Sequence, residues 1–70
     1  MPNPDVDALA GWDEEVPVPL DHPALPEGIR RAVLAMWRPT DNLHRVPCTM
    51  GVEWWLIDED GELVEGFWQE

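Results

Sequence analysis

The chain has 70 residues, a formal net charge of −11 and a single cysteine, Cys48. That length supports one small domain whose core supplies about 3–5 kcal/mol. A lone cysteine excludes an intrachain disulfide, and the charge opposes direct contact with nucleic acid or an anionic membrane.

Residues 1–14 read as a flexible acidic tail or docking segment, and residues 15–70 as a single small α+β domain. Val6, Leu9 and Trp12 stand three apart, with Asp5 placed to cap one helical turn. A turn so short is marginal alone, so a frayed tail and a motif ordered on binding both fit it. Pro2, Pro4, Pro17 and Pro19 oppose a regular helix or a central strand, which predicts an extended arm through residue 20. The first residues form neither the basic nor the apolar region of a signal peptide, and no apolar run is long enough to span a bilayer. A cytoplasmic protein is expected.

Residues 26–38 carry the helical pattern. Ile29, Val33, Met36 and Trp37 fall on one face, opposite Glu27, Arg31 and Arg38. Pro26 suits the first turn, Glu27 complements the positive end of the helix dipole, and Glu27 and Arg31 form an i, i+4 pair. Pro39 ends the helix, and Thr40, Asp41 and Asn42 follow as a turn.

Leu43–Met50 is able to add an edge strand interrupted by Pro47. Residues 52–69 read as a β-hairpin closed by Asp58-Glu59-Asp60-Gly61-Glu62. A two-residue loop at Asp60-Gly61 sets Leu56 opposite Glu65. A three-residue loop with a left-handed Gly61 instead pairs Leu56 with Val64, Val52 with Trp68, and Trp54 with Gly66. The second register makes one face wholly apolar (Val52, Trp54, Leu56, Val64, Trp68) and is the one expected. The resulting fold is α+β: one amphipathic helix packed on a C-terminal antiparallel hairpin, extendable to a three-stranded meander, with an N-terminal arm.

In that register the other face holds Glu53, Trp55, Ile57, Leu63, Glu65 and Phe67. A single helix covers only one side of a small sheet. The second face must therefore meet the arm, through Val16, Val18 and Leu20, or another subunit, or a partner.

Chemistry is sparsely provided for. Lysine, serine and tyrosine are absent, which removes serine nucleophiles, Schiff-base lysines and the lysine of a phosphate-binding loop. His44 and Cys48 would lie about 13 Å apart on an extended strand. His22, His44 and Cys48 lack the paired spacing of a zinc site, and Asp58, Asp60 and Glu62 fail the calcium-loop pattern. No catalytic residue, metal or cofactor is assigned, and a non-enzyme is expected.

Charge is segregated along the chain. All four basic residues (Arg30, Arg31, Arg38, Arg45) lie between two acidic segments that each carry seven carboxylates, residues 1–27 and 51–70. Such a field attracts a larger protein with a basic surface. The expected function is a small acidic protein-binding module, an inhibitor docking on a basic partner, with a nucleic-acid-handling protein as the sharpest form of that reading. Trp55, Phe67, Ile57 and Leu63 are the expected anchors. Asp58, Glu59, Asp60, Glu62, Glu65, Asp13, Glu14 and Glu15 are the expected steering carboxylates. A self-associating homodimer whose acidity reflects a high-salt habitat is the alternative.

Overall fold

The computed structural model describes residues 9–69. It contains one helix, α1 (Glu27–Leu34), and three strands, β1 (Asn42–Cys48), β2 (Gly51–Ile57) and β3 (Leu63–Gln69). The strands form an antiparallel meander in the order β1-β2-β3. The expected α+β architecture is present, with the third strand included. No helix among the described residues is long and apolar enough to cross a membrane.

Helix α1 begins where the sequence predicts. Pro26, with φ −57°, supplies the preset backbone angle, and its carbonyl accepts the Arg30 N–H at 2.9 Å. Glu27 occupies the first turn and pairs weakly with Arg31 at 3.8 Å across an exposed surface. The helix ends four residues early. Asp41 Oδ2 accepts the Arg38 N–H at 3.0 Å while the Asp41 N–H donates to the Arg38 carbonyl at 2.9 Å. This reciprocal turn, together with the restriction that Pro39 places on Arg38, removes residues 35–38 from the helix. Met36, expected in the core, is consequently 40% exposed, and Trp37 packs against the core edge.

Eight residues of helix cannot cover a three-stranded sheet, and the arm completes the second layer. The core comprises Leu9, Val18, Leu25, Ile29, Val33, Leu43, Trp54 and Leu56. Leu9, only 1% exposed, lies within the segment expected to be a tail. The Trp12 N–H donates to the Leu9 carbonyl at 2.8 Å, and the Trp12 indole N–H reaches the Val16 carbonyl at 2.8 Å. Asp5 and Val6, the rest of the expected turn, lie outside the described residues. Arg30 ties the arm to the helix: its Nε donates to the Leu20 carbonyl at 2.8 Å and its Nη2 to the His22 carbonyl at 2.7 Å. Its remaining nitrogen, Nη1, pairs with Glu27.

The β2–β3 loop has the expected form. Gly61 adopts φ +81°, its N–H donates to the Asp58 carbonyl at 3.0 Å, and the Asp58 N–H donates to the Glu62 carbonyl at 2.8 Å. The first ladder pair, Ile57 with Leu63, follows from this loop. Beyond it the expected register fails. An irregularity between Leu56 and Ile57 leaves Val64 without an opposite residue, so that Leu56 faces Glu65, Trp54 faces Phe67 and Val52 faces Gln69. A one-residue slip turns every later side chain of β3 to the other side of the sheet. Val64 and Trp68, expected in the core, are 43% and 50% exposed, and Phe67 packs against the core instead.

The indole of Trp54 supplies the reason. It is 1% exposed, and its Nε1–H donates to Gln69 Oε1 at 2.7 Å. The expected register would present Val64, Gly66 and Trp68 to this face, none of which has a side-chain acceptor. An unsatisfied buried N–H costs about 1–3 kcal/mol, comparable to the whole margin of so small a domain. The slip removes that cost and sets Phe67 opposite Trp54.

At the other hairpin, Gly51 has φ +148° and sits under the end of β3. A Cβ built there would lie 2.9 Å from the Gln69 carbonyl oxygen and 3.2 Å from the Trp68 ring. Only glycine fits that approach.

Candidate functional site: the face left open by the helix

Helix and arm pack on the side of the sheet that carries Leu43, Trp54 and Leu56. Alternation along the strands places His44 and Val46 of β1, Glu53, Trp55 and Ile57 of β2, and Gly66 and Trp68 of β3 on the opposite side. His44, Trp55 and Gly66 form one cross-strand row, and Val46, Glu53 and Trp68 form the next. Leu63 extends the face beside Ile57.

The arm does not cover this face. The Val18 N–H donates to the Leu43 carbonyl at 2.7 Å, so the arm adds itself to the outer edge of β1 rather than crossing the sheet. Val18 and Leu20 turn to the core, and Val16 is exposed. Trp55 remains 37% exposed in consequence. The arm does bring two acidic residues to the rim. His44 Nδ1 donates to the Glu14 carbonyl at 2.8 Å, and Glu14, Glu15, His44, Val46, Trp55 and Ile57 line a shallow cavity of about 350 Å³.

A second carboxylate enters from within the sheet. Glu53 leans over Gly66, where a built Cβ would stand 3.1 Å from Oε2 and 3.9 Å from the Trp55 ring. The missing side chain at residue 66 thus makes room for a carboxylate between two exposed indoles. The face combines an aromatic and aliphatic floor with acidic groups at its centre and along one side, an arrangement suited to a cationic group carried on an apolar stem.

Of the expected site residues, Trp55, Ile57, Glu14 and Glu15 are brought together here. Leu63 joins the same face near the turn. Phe67 is a correction: the register slip turns it to the core side, and Trp68 takes the exposed position. Glu65 is likewise turned to the core side of the sheet, where it is exposed opposite Leu56. Asp58 is engaged in structure, since its Oδ1 accepts the N–H groups of Asp60 and Glu62, both at 2.9 Å. Glu59, Asp60 and Glu62 are exposed around that turn. Asp13 holds a tight turn by accepting the Glu15 N–H at 2.9 Å. His44, Val46, Glu53 and Trp68 were not among the expected site residues. The signal for Trp68 lay in the need of Trp54 for an acceptor, which Gln69 provides from a position diagonal to it on β3.

A second cavity of about 460 Å³ opens between residues 17–21 and 37–43. Asp41 forms part of its wall, with Oδ2 held by the Arg38 N–H. Cys48 is exposed at the end of β1, its Sγ directed to the Val46 carbonyl at 3.6 Å. Among the described residues no three His, Cys, Asp or Glu side chains are grouped to hold a metal ion.

No protein-family model matches the sequence, and neither a curated protein nor a solved structure matches the chain at a significant level.

Proposed function

We propose that this protein is a small non-enzymatic binding module that docks on a larger protein with a basic surface and acts as its inhibitor. The observation that carries the reading is the open face itself. Trp55 and Trp68 stand exposed on the side opposite the helix, with Glu53 between them and Glu14 and Glu15 along the rim. Apolar anchors ringed by carboxylates, on a chain of net charge −11, favour a partner that offers a cationic, partly apolar surface. Occupation of a nucleic-acid-binding groove is the sharpest form of this reading, because closely spaced carboxylates reproduce the charge of a phosphate backbone.

Size sets a further requirement. Three strands about 4.8 Å apart and seven residues long present a face of about 330 Å², less than half of the ~800 Å² that one side of a stable interface buries. The partner must therefore also reach beyond the face, to the arm, the 58–62 turn or the outer edge of β3.

The test is capture from nuclease-treated host lysate with the wild-type chain and with Trp55→Ala, at low and high salt, read by mass spectrometry. A basic protein held at low salt, released at high salt and lost with Trp55→Ala supports the proposal. Recovery of the chain alone at both salts refutes it in favour of self-association.

A further inference from the structure

The two edges of the sheet are treated differently. At the β1 edge the arm donates the Val18 N–H to the Leu43 carbonyl, Glu14 contacts His44, and Pro47 removes one donor from the strand. Strand β3 pairs with β2 on one side, and among the described residues no strand lies on its other side. Leu63, Val64 and Trp68 are exposed along it, and among the described residues its backbone groups make no hydrogen bond to a segment outside the sheet.

An exposed edge strand invites a further strand, and natural proteins deter this with charges and bulges. Strand β3 has both: Glu65 within the strand, and the irregularity that leaves Val64 unopposed. These devices select among occupants. Pairing with a second copy would join two bodies of net charge −11 and bring their Glu65 side chains to one seam. A basic strand meets no such repulsion.

Carboxylates flank this edge on both sides of the sheet. Glu65 is exposed on the core side, and Glu53 reaches over Gly66 on the open side. Residues 65 and 66 are adjacent, so an added strand would set two adjacent side chains, one on each side, against these two carboxylates.

Resting on the reading above and naming its mode of contact, we infer that the outer edge of β3 receives an extended basic segment of the partner. That segment pairs as a fourth strand and carries two adjacent Lys or Arg residues between apolar ones. Gly66 is the specificity element, because any side chain there displaces the Glu53 carboxylate from its position.

The probe is the capped heptapeptide Thr-Val-Arg-Lys-Val-Thr-Val, titrated into isotopically labelled full-length protein and followed by amide chemical shifts. Two companions isolate the causes: the same peptide N-methylated at alternate amides, and one with Glu-Glu replacing Arg-Lys. Expected are shifts confined to residues 63–69 and Glu53, about tenfold or greater weakening on N-methylation, and no binding of the acidic peptide. Gly66→Ala should keep the spectrum of a folded protein and weaken the basic peptide, since the added Cβ crowds only the end of the Glu53 side chain and stands at ordinary contact distance, 3.9 Å, from the Trp55 ring. Equal binding of the N-methylated peptide, concentration-dependent shifts of β3 without peptide, or no shifts at all would overturn the inference. Shifts centred on His44 and Trp55 with β3 silent would also overturn it, yet leave docking through the open face standing. That broader reading falls separately, by the capture experiment with Trp55→Ala.

Discussion

Replacing Gln69 by leucine leaves the buried indole N–H of Trp54 without its acceptor. The bond is 2.7 Å long, and Trp54 is 1% exposed, so water cannot take over the role without opening the core. The expected loss is about 1–3 kcal/mol, the desolvation cost of an orphaned donor. Against a total of about 3–5 kcal/mol for a domain of this size, that is about a fifth or more of the stability. The assay is urea unfolding followed by far-ultraviolet circular dichroism. With a slope of about 1 kcal/mol/M for so small a chain, the midpoint should fall by about 1–3 M. Trp54→Phe removes the donor but also leaves a cavity, so the bond is isolated by the cycle of Gln69→Leu, Trp54→Phe and the double variant. Once the indole N–H is gone, Gln69→Leu should cost at least 1 kcal/mol less than in the wild type. A coupling below about 0.5 kcal/mol would refute the explanation given for the β3 register.

Leu9→Ala should destabilise the domain by about 2–4 kcal/mol, measured by the same unfolding assay, because Leu9 is a fully buried core residue rather than part of a tail. Gly51→Ala should cost more than about 2 kcal/mol: its φ of +148° and the Gln69 carbonyl 2.9 Å from the added Cβ act together. Thermal unfolding checks it, and a change in midpoint of less than 2 °C would contradict the close approach. Trp55→Ala should shift stability by less than about 1 kcal/mol while reducing partner capture at least tenfold. Loss of the folded monomer in that variant would mean that the open face is part of the core. Capture by the wild-type chain should weaken steadily between 50 and 500 mM salt, since exposed carboxylates carry the attraction.

Local chemistry in the sequence determined a large part of this protein. Pro26 and Glu27 start the helix, Gly61 and the Asp58 carboxylate shape the β2–β3 loop, and Pro39 limits the helix to the segment before it. These features act over two to four residues through backbone sterics and short hydrogen bonds, so they are readable without knowledge of the remainder. The apolar excess of the sheet was legible for the same reason: one short helix covers one side of a sheet, and Trp55 and Ile57 exceed what that side requires. Whether the arm covers them was not legible, and Glu14 and Glu15 were expected for their charge and not from that face.

Three matters were decided only in the folded chain. The register of β3 depends on an indole and an amide 15 residues apart, and this single hydrogen bond moved Phe67 inward and Trp68 outward. The helix stopped short because Asp41, beyond the proline, satisfies the Arg38 N–H better than another turn would. Leu9 and Val18 entered the core because eight residues of helix leave apolar sheet surface uncovered, and the arm was the segment able to reach it. In each case the local pattern permitted more than one arrangement. The choice fell to whichever satisfied a buried polar group or covered exposed apolar area, quantities that exist only once distant segments have met.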